Sequence, residues 1–384
     1  MPDAALLAAL QAWTVDDSRN RRLKRWSRTP EGVLDVTVAE MDFPVAEPVM
    51  AAVRDAVERQ SFGYPLTEEH TRFQAVTAPW LRRHGLSVPA DHVFMISDVL
   101  RGQEVALDRF TRPDAPVAVI TPTYSAFFET LWVTGRTGIE VPLEGNRFDF
   151  DAIENAFRDG ASALLLCHPS NPTGTVHTRA ELTRLADLAT AYDVRVISDE
   201  VHAPLRYPGI EFVSFGEVSP TAIVLTSASK TFNIPGLRCA VIAFTNPDDV
   251  GLWHTLPIAA KGAISPLGVV ATIAAFEAGR PWLDAVLTLL EGKRDLVVSG
   301  LNGLGYGELI GTPDATYLGW ADLRQFGLEA PHTWLRDEAG IAVTPGVDHG
   351  AGGEGFVRIN LATPDPQLHD FLERMERALK VVPQ

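Results

Sequence analysis

Ser227-Ala228-Ser229-Lys230 stands just beyond the apolar run Ala222–Leu225, with Thr226 between them. A short uninterrupted apolar run reads as a parallel strand buried on both faces. Lys230 then falls just past a strand's carboxyl end, where open α/β sheets bind ligands. A lysine amine forms Schiff bases with carbonyl compounds, and the two hydroxyls beside it suit an aldehyde that carries a phosphate. Taken alone, the tetrapeptide reads as a polar loop with one solvated lysine, so its neighbours in the fold must decide.

Outward from this junction, helix-like stretches alternate with apolar runs. There are seven in all: Val93–Ile96, Val117–Thr121, Ile139–Leu143, Ala163–Cys167, Arg195–Ser198, Ala222–Leu225 and Cys239–Phe244. This alternation predicts an α/β fold whose large domain is a mostly parallel seven-stranded sheet covered by helices. Residues 1–45 read as an arm with a short helix and turns, and residues 46–280 as the large domain. After Gly279-Arg280-Pro281 come a helical pattern through Leu301, Gly-rich turns, the strand-like Phe356–Leu361 and a closing helix from about Gln367 to Leu379. They predict a smaller α+β domain over 281–384, and Pro281 fits the first turn of a helix that starts at the boundary.

The 384 residues carry 33 basic and 49 acidic side chains, a net charge of −16, which argues against nucleic acid or an anionic membrane as the main partner. A basic run, Arg19, Arg21, Arg22, Lys24, Arg25 and Arg28, reads as a solvated arm or one lying on an acidic subunit surface. Cys167 and Cys239 each sit in an apolar run, which argues against a disulfide framework or a cysteine-based metal site. The apolar stretch Ile258–Ala278 is interrupted by Lys261, Pro266 and Glu277 and does not read as a membrane span. Asp3 opens the chain where a signal peptide would be basic. A cytoplasmic enzyme is the class these features leave.

Other polar residues follow the apolar runs in the same way. Asp199, 31 residues before Lys230, ends the run Arg195–Ser198, and a buried carboxylate there would keep a pyridine nitrogen protonated; an N-cap or ion-pair role is the plain alternative. His168-Pro169-Ser170-Asn171-Pro172-Thr173-Gly174 is a stiff loop that presents the Asn171 amide to a phenolate-type oxygen, or is an ordinary turn. Arg238, with its two-pronged guanidinium, suits the phosphate that Ser227 and Ser229 would hold. Ser97-Asp98-Val99-Leu100-Arg101 opens a helix, so the amides of Val99 and Leu100 are free to join them. Tyr124 either stacks on a flat cofactor or fills the core. Arg358, inside an apolar strand, needs an anion, supplied by a substrate carboxylate or by an internal Asp or Glu.

Together these motifs resemble the pyridoxal-phosphate enzymes of the aspartate-aminotransferase fold, in family order over nearly the whole chain. Within that superfamily the chain is most similar to cystathionine β-lyase-type carbon–sulfur lyases. The likeness rests on Val38-Ala39-Glu40-Met41-Asp42-Phe43-Pro44, Phe62-Gly63-Tyr64, Ser198-Asp199-Glu200-Val201-His202, Ser229-Lys230-Thr231-Phe232-Asn233 and Gly355-Phe356-Val357-Arg358-Ile359-Asn360. The resemblance implies Lys230 as the Schiff-base lysine, Asp199 at the pyridine nitrogen, Asn171 at the ring oxygen and Tyr124 on the ring. Ser227, Ser229, Arg238, Val99 and Leu100 would hold the phosphate, and Ala39 and Arg358 would hold the substrate, the latter by its α-carboxylate. Tyr64 would reach into the neighbouring subunit of a homodimer, and the arm would pack on the small domain and the partner.

Transaminases of this fold commonly carry Tyr where His202 stands, which favours the lyase branch; Glu40 departs from the Asp that branch more often carries, and Arg238 is closer to the transaminase habit. The expected reaction is α,β-elimination from an S-substituted L-cysteine to a thiol, pyruvate and ammonia, with Lys230, Tyr64 and His202 as catalytic residues and no metal. An aminotransferase using the same residues is the alternative.

Overall fold

The computed structural model describes residues 3–382, and the side chain of Arg28 lies outside what is described. After the two-residue strand β1 (Leu34–Asp35), the seven apolar runs form β2 (Val93–Ile96), β3 (Val117–Thr121), β4 (Gly138–Pro142), β5 (Ala163–Cys167), β6 (Arg195–Asp199), β7 (Ile223–Thr226) and β8 (Ala240–Phe244). These make one sheet in the order β2-β8-β7-β6-β5-β3-β4. Strands β3 to β7 pair in parallel, and β8 runs antiparallel to both its neighbours. Several ends move by one residue from their expected places. β6 gains Asp199 because its backbone continues the ladder, paired with Cys167 on one side and Leu225 on the other.

Every residue of β5 is buried, and successive side chains feed opposite cores: Leu164 and Leu166 join one apolar cluster, and Ala163, Leu165 and Cys167 the other. The helix Val99–Phe110 lies tight against the sheet, since a Cβ on Gly102 would come within 2.5 Å of the Leu225 side chain. A glycine there lets the helix N-terminus approach the ends of β2 and β7.

A three-stranded antiparallel sheet stands apart from the first, built of β9 (Leu318–Asp322), β11 (Thr344–Pro345) and β12 (Phe356–Asn360) in the order β11-β12-β9. β10 (Ile341–Ala342) pairs in parallel with β1. β9 is not legible in advance because Gly319 and Asp322 interrupt its apolar pattern. The long helix Arg280–Asn302 starts with Pro281 in its first turn, and Asp365–Leu379 is the closing helix. Among the described residues no helix is long and apolar enough to cross a membrane.

The N-terminal arm holds three short helices, Ala4–Gln11, Val15–Asn20 and Lys24–Arg28, where one was expected. Its basic run is not uniformly solvated. Arg25 is only 1 % exposed and ion-paired with Asp42, itself 1 % exposed. Asp42 also accepts from Trp26 Nε1 (2.8 Å) and Thr363 Oγ1 (2.9 Å), so one carboxylate ties the arm to the chain just after β12. Asp42→Ala removes the direct ion-pair partner of the buried Arg25 guanidinium, leaving only the more distant charges of Asp35 and Glu40, and is expected to cost about 3 kcal/mol in urea unfolding. A loss below about 1 kcal/mol would show that the arm is held by other contacts.

Candidate active site

The carboxyl ends of β3, β5, β6 and β7 open on one cleft of about 360 Å³. Parallel pairing aligns these ends, which is why Tyr124, Asn171, Asp199 and Lys230, scattered in sequence, share its wall. Val99, Leu100, His202, Ser227, Ser229, Arg238, Ala39 and Arg358 line it as well. Tyr64 does not: it is 95 % exposed and stands by a separate cavity.

Lys230 Nζ donates to the Ala39 carbonyl at 2.9 Å, and burial, reinforced by the nearby Arg358 charge, pulls the amine down to about 8. Asp199 accepts one bond, from Val201 N at 3.1 Å, and burial pushes its carboxyl up to about 7. It makes neither of the plainer contacts, a helix cap or an ion pair; a cationic ring nitrogen would supply the charge it lacks. His202 is buried and held neutral, its titration pulled down to about 3 by desolvation and then by Lys230 and Arg358, and its Nδ1 has no partner.

Arg358 is 7 % exposed, yet every partner is neutral: Asn171 Oδ1 (3.1 Å), the Thr37 carbonyl (3.2 Å) and Thr344 Oγ1 (3.2 Å), with Nε unpartnered. The internal Asp or Glu that the sequence left open makes no direct contact with it among the described residues, and Asp348 acts on it only from a distance. A buried guanidinium with only neutral acceptors is a receptor for a carboxylate. At the other end, Ser227 Oγ donates to the Cys239 carbonyl (2.9 Å) and accepts from Ser229 N (3.0 Å), while Asp98 caps the helix Val99–Phe110. First-turn amides such as those of Val99 and Leu100 have no helical acceptor. Arg238, in left-handed backbone (φ 51°), pairs with Asp98 at 2.6 Å and is largely exposed. Hydroxyls, helix amides and an exposed arginine make a fitting anion cup, so the polar groups suit pyridoxal phosphate from its phosphate to its ring nitrogen.

The model for aminotransferase class I and II matches residues 31–375. The chain belongs to that family. Among relatives of this class I and II aminotransferase-family protein, the cystathionine beta-lyase of Corynebacterium glutamicum is 37% identical over 95% of this chain and 99% of its own. A crystal structure from Corynebacterium diphtheriae, assigned as a PLP-dependent beta-cystathionase, superposes with a TM-score of 0.92 at 35% identity, covering 97% of this chain and 100% of the other. Cystalysin from Treponema denticola, whose structure contains pyridoxal 5′-phosphate, gives 0.88 at 26% identity over 97% and 100%.

Some residues that shape the family cleft here were not singled out from sequence. Thr37 and Thr344 hold Arg358, and Tyr317 donates to the Ala39 carbonyl at 3.0 Å. No spacing rule joins positions so far apart, and only the pairing of β11 with β12 sets Thr344 opposite Arg358. Asn233 and Asn360 stood inside quoted motifs without a role. Asn233 binds both backbone groups of Met41 (3.0 and 2.6 Å), and Asn360 Nδ2 donates to the carbonyls of Val38 (2.6 Å) and Glu40 (2.7 Å).

The native Asp199 carboxyl keeps its proton up to about 7, while the unfolded chain releases it near 3.8. In the cofactor-free protein the native state therefore binds more protons across that window, and Asp199 lowers stability as pH rises through it. Asp199→Asn is expected to gain stability relative to wild type between pH 4 and 7 and to hold that gain above it, read by urea unfolding at several pH values. A difference that does not change with pH would refute the buried, unpaired carboxylate.

Proposed function

We propose that the protein is a pyridoxal-phosphate-dependent carbon–sulfur β-lyase of the cystathionine β-lyase type, releasing a thiol, pyruvate and ammonia from an S-substituted L-cysteine. The observation that carries this reading is full-length similarity to a cystathionine beta-lyase, joined to a cleft that sets a buried amine beside a guanidinium with no carboxylate of its own.

When bound, pyridoxal phosphate supplies an electron-withdrawing ring that stabilises negative charge at the substrate α-carbon. Ser227, Ser229, Arg238 and the helix amides of Val99 and Leu100 would hold its phosphate, Asn171 its ring oxygen, Asp199 its ring nitrogen, and Tyr124 its face. Arg358 receives the substrate α-carboxylate as a two-pronged pair and fixes the Cα–H bond toward Lys230. With its titration near 8, a useful share of Lys230 is neutral at physiological pH and takes the α-proton. The Cβ–S bond breaks, the sulfur leaves as a thiol, and water converts the remaining three-carbon enamine to pyruvate and ammonia. His202, neutral and with a free ring nitrogen in the cleft, is placed to hydrogen-bond the ring oxygen or the leaving group.

The working unit is a homodimer. Tyr64, 95 % exposed, together with the exposed Phe62, Leu66 and Ile258, supports it, as does a cavity of about 870 Å³ that Tyr64 and Ile258 line. Tyr64 serves the partner's cleft, and beside the large domain (46–280) the arm of residues 1–45 packs with the small domain (281–384) and the second subunit. A cytoplasmic setting agrees with two buried, unpaired cysteines.

Incubation with L-cystathionine is expected to yield pyruvate and free thiol in equal amounts, with Lys230→Ala slower by about a thousandfold. Amino transfer to a keto acid without thiol release would make the protein an aminotransferase instead. Mixing Tyr64→Ala with Lys230→Ala subunits is expected to restore up to about a quarter of wild-type activity, because hybrid two-fold dimers regain one intact site. No recovery would place Tyr64 outside the partner's site.

A further inference from the structure

Of the six members of the basic run in the arm, three have protein partners among the described residues. Arg25 pairs with Asp42, Arg21 Nη1 donates to the Phe43 carbonyl (2.6 Å), and Arg19 reaches Asp16. Lys24 differs. It is exposed, has no carboxylate partner among the described residues, and lines the same cleft as Lys230 and Arg358.

The charges of that cleft leave Lys24 over. Its lining holds Lys24, Lys230, Arg238 and Arg358 against Asp98 and Asp199. Arg238 belongs to the phosphate end and Lys230 to the reacting carbon, while Arg358 takes the α-carboxylate. Lys24 is the remaining cation. Lys230 and Arg358 lie at the buried end, whereas Lys24 stands at the open one. Thr37, Val38 and Lys24 line the same cleft as Arg358, so a substrate with its amino-acid head on Arg358 has this wall available to its sulfur substituent.

We propose that Lys24 is a specificity-determining residue that binds a carboxylate on the group beyond sulfur, so that the site prefers thioethers whose leaving group carries a carboxylate. This deepens the lyase reading and rests on it. An ammonium at the rim keeps much of its hydration, so the preference is modest in size.

The holoenzyme and its Lys24→Met variant are compared on L-cystathionine, which carries a distal carboxylate, and S-methyl-L-cysteine, which carries none. Lys24→Met is expected to lower kcat/KM for cystathionine about fivefold, mainly through KM, and to move the S-methylcysteine value less than twofold, with Lys24→Arg recovering most of the loss. An equal fall on both substrates, or no change on either, overturns the assignment. If the wild type releases thiol from neither compound, the lyase reading fails, and calorimetric binding of the same two amino acids then tests Lys24 separately. Weaker binding of cystathionine alone in Lys24→Met upholds the carboxylate site; unchanged or equally weakened binding removes it.

Discussion

The cleft depends on one extended piece of backbone, Thr37 to Met41, each of whose carbonyls has a side-chain donor. Arg358 reaches Thr37, Asn360 reaches Val38 and Glu40, Lys230 and Tyr317 reach Ala39, and Asn233 reaches Met41. The donors come from both sheets: Lys230 and Asn233 follow β7, while Arg358 and Asn360 sit on β12. Each neutral bond is worth about 1 kcal/mol net and the charged ones more, and leaving any of these buried groups unmatched would cost a comparable amount. The segment thus works as a gauge block that sets the distance between the amine and the guanidinium.

That arrangement also explains the electrostatics. Hydrogen bonding to neutral acceptors, the Ala39 carbonyl for Lys230 and the Thr37 carbonyl with the Asn171 and Thr344 side chains for Arg358, holds both in place without neutralising them, so burial is felt as depressed titration of both. Carboxylates at the same positions would fix the side chains equally well but leave no charge for a substrate. Asp199 is the mirror case, an acid held by one amide and waiting for a cation. A cleft whose charges are positioned by neutral partners binds ligands that bring the missing charges with them.

Much of this was legible in the chain. Strands buried on both faces leave continuous apolar runs, and polar residues that end such runs fall together when the strands are parallel, so Asn171, Asp199 and Lys230 could be read as neighbours. Arg358 was legible as a buried charge, but its partner was not, since a substrate carboxylate and an internal one leave the same trace in sequence. β9 stayed hidden because Gly319 and Asp322 break its pattern, and the basic arm could not be resolved into a buried pair, a backbone contact and a free lysine.

The strands of the large sheet and the residue types at their ends could be read from the chain alone, because these follow from local periodicity and from where apolar runs stop. Which of those residues lack direct counter-charges follows from the packing of the whole chain. Partnership between Thr37, Asn171, Thr344 and Arg358, or between Asp42, Arg25 and Thr363, joins positions up to hundreds of residues apart. Contacts of that range are set by how the arm and the two sheets pack, which no local pattern records.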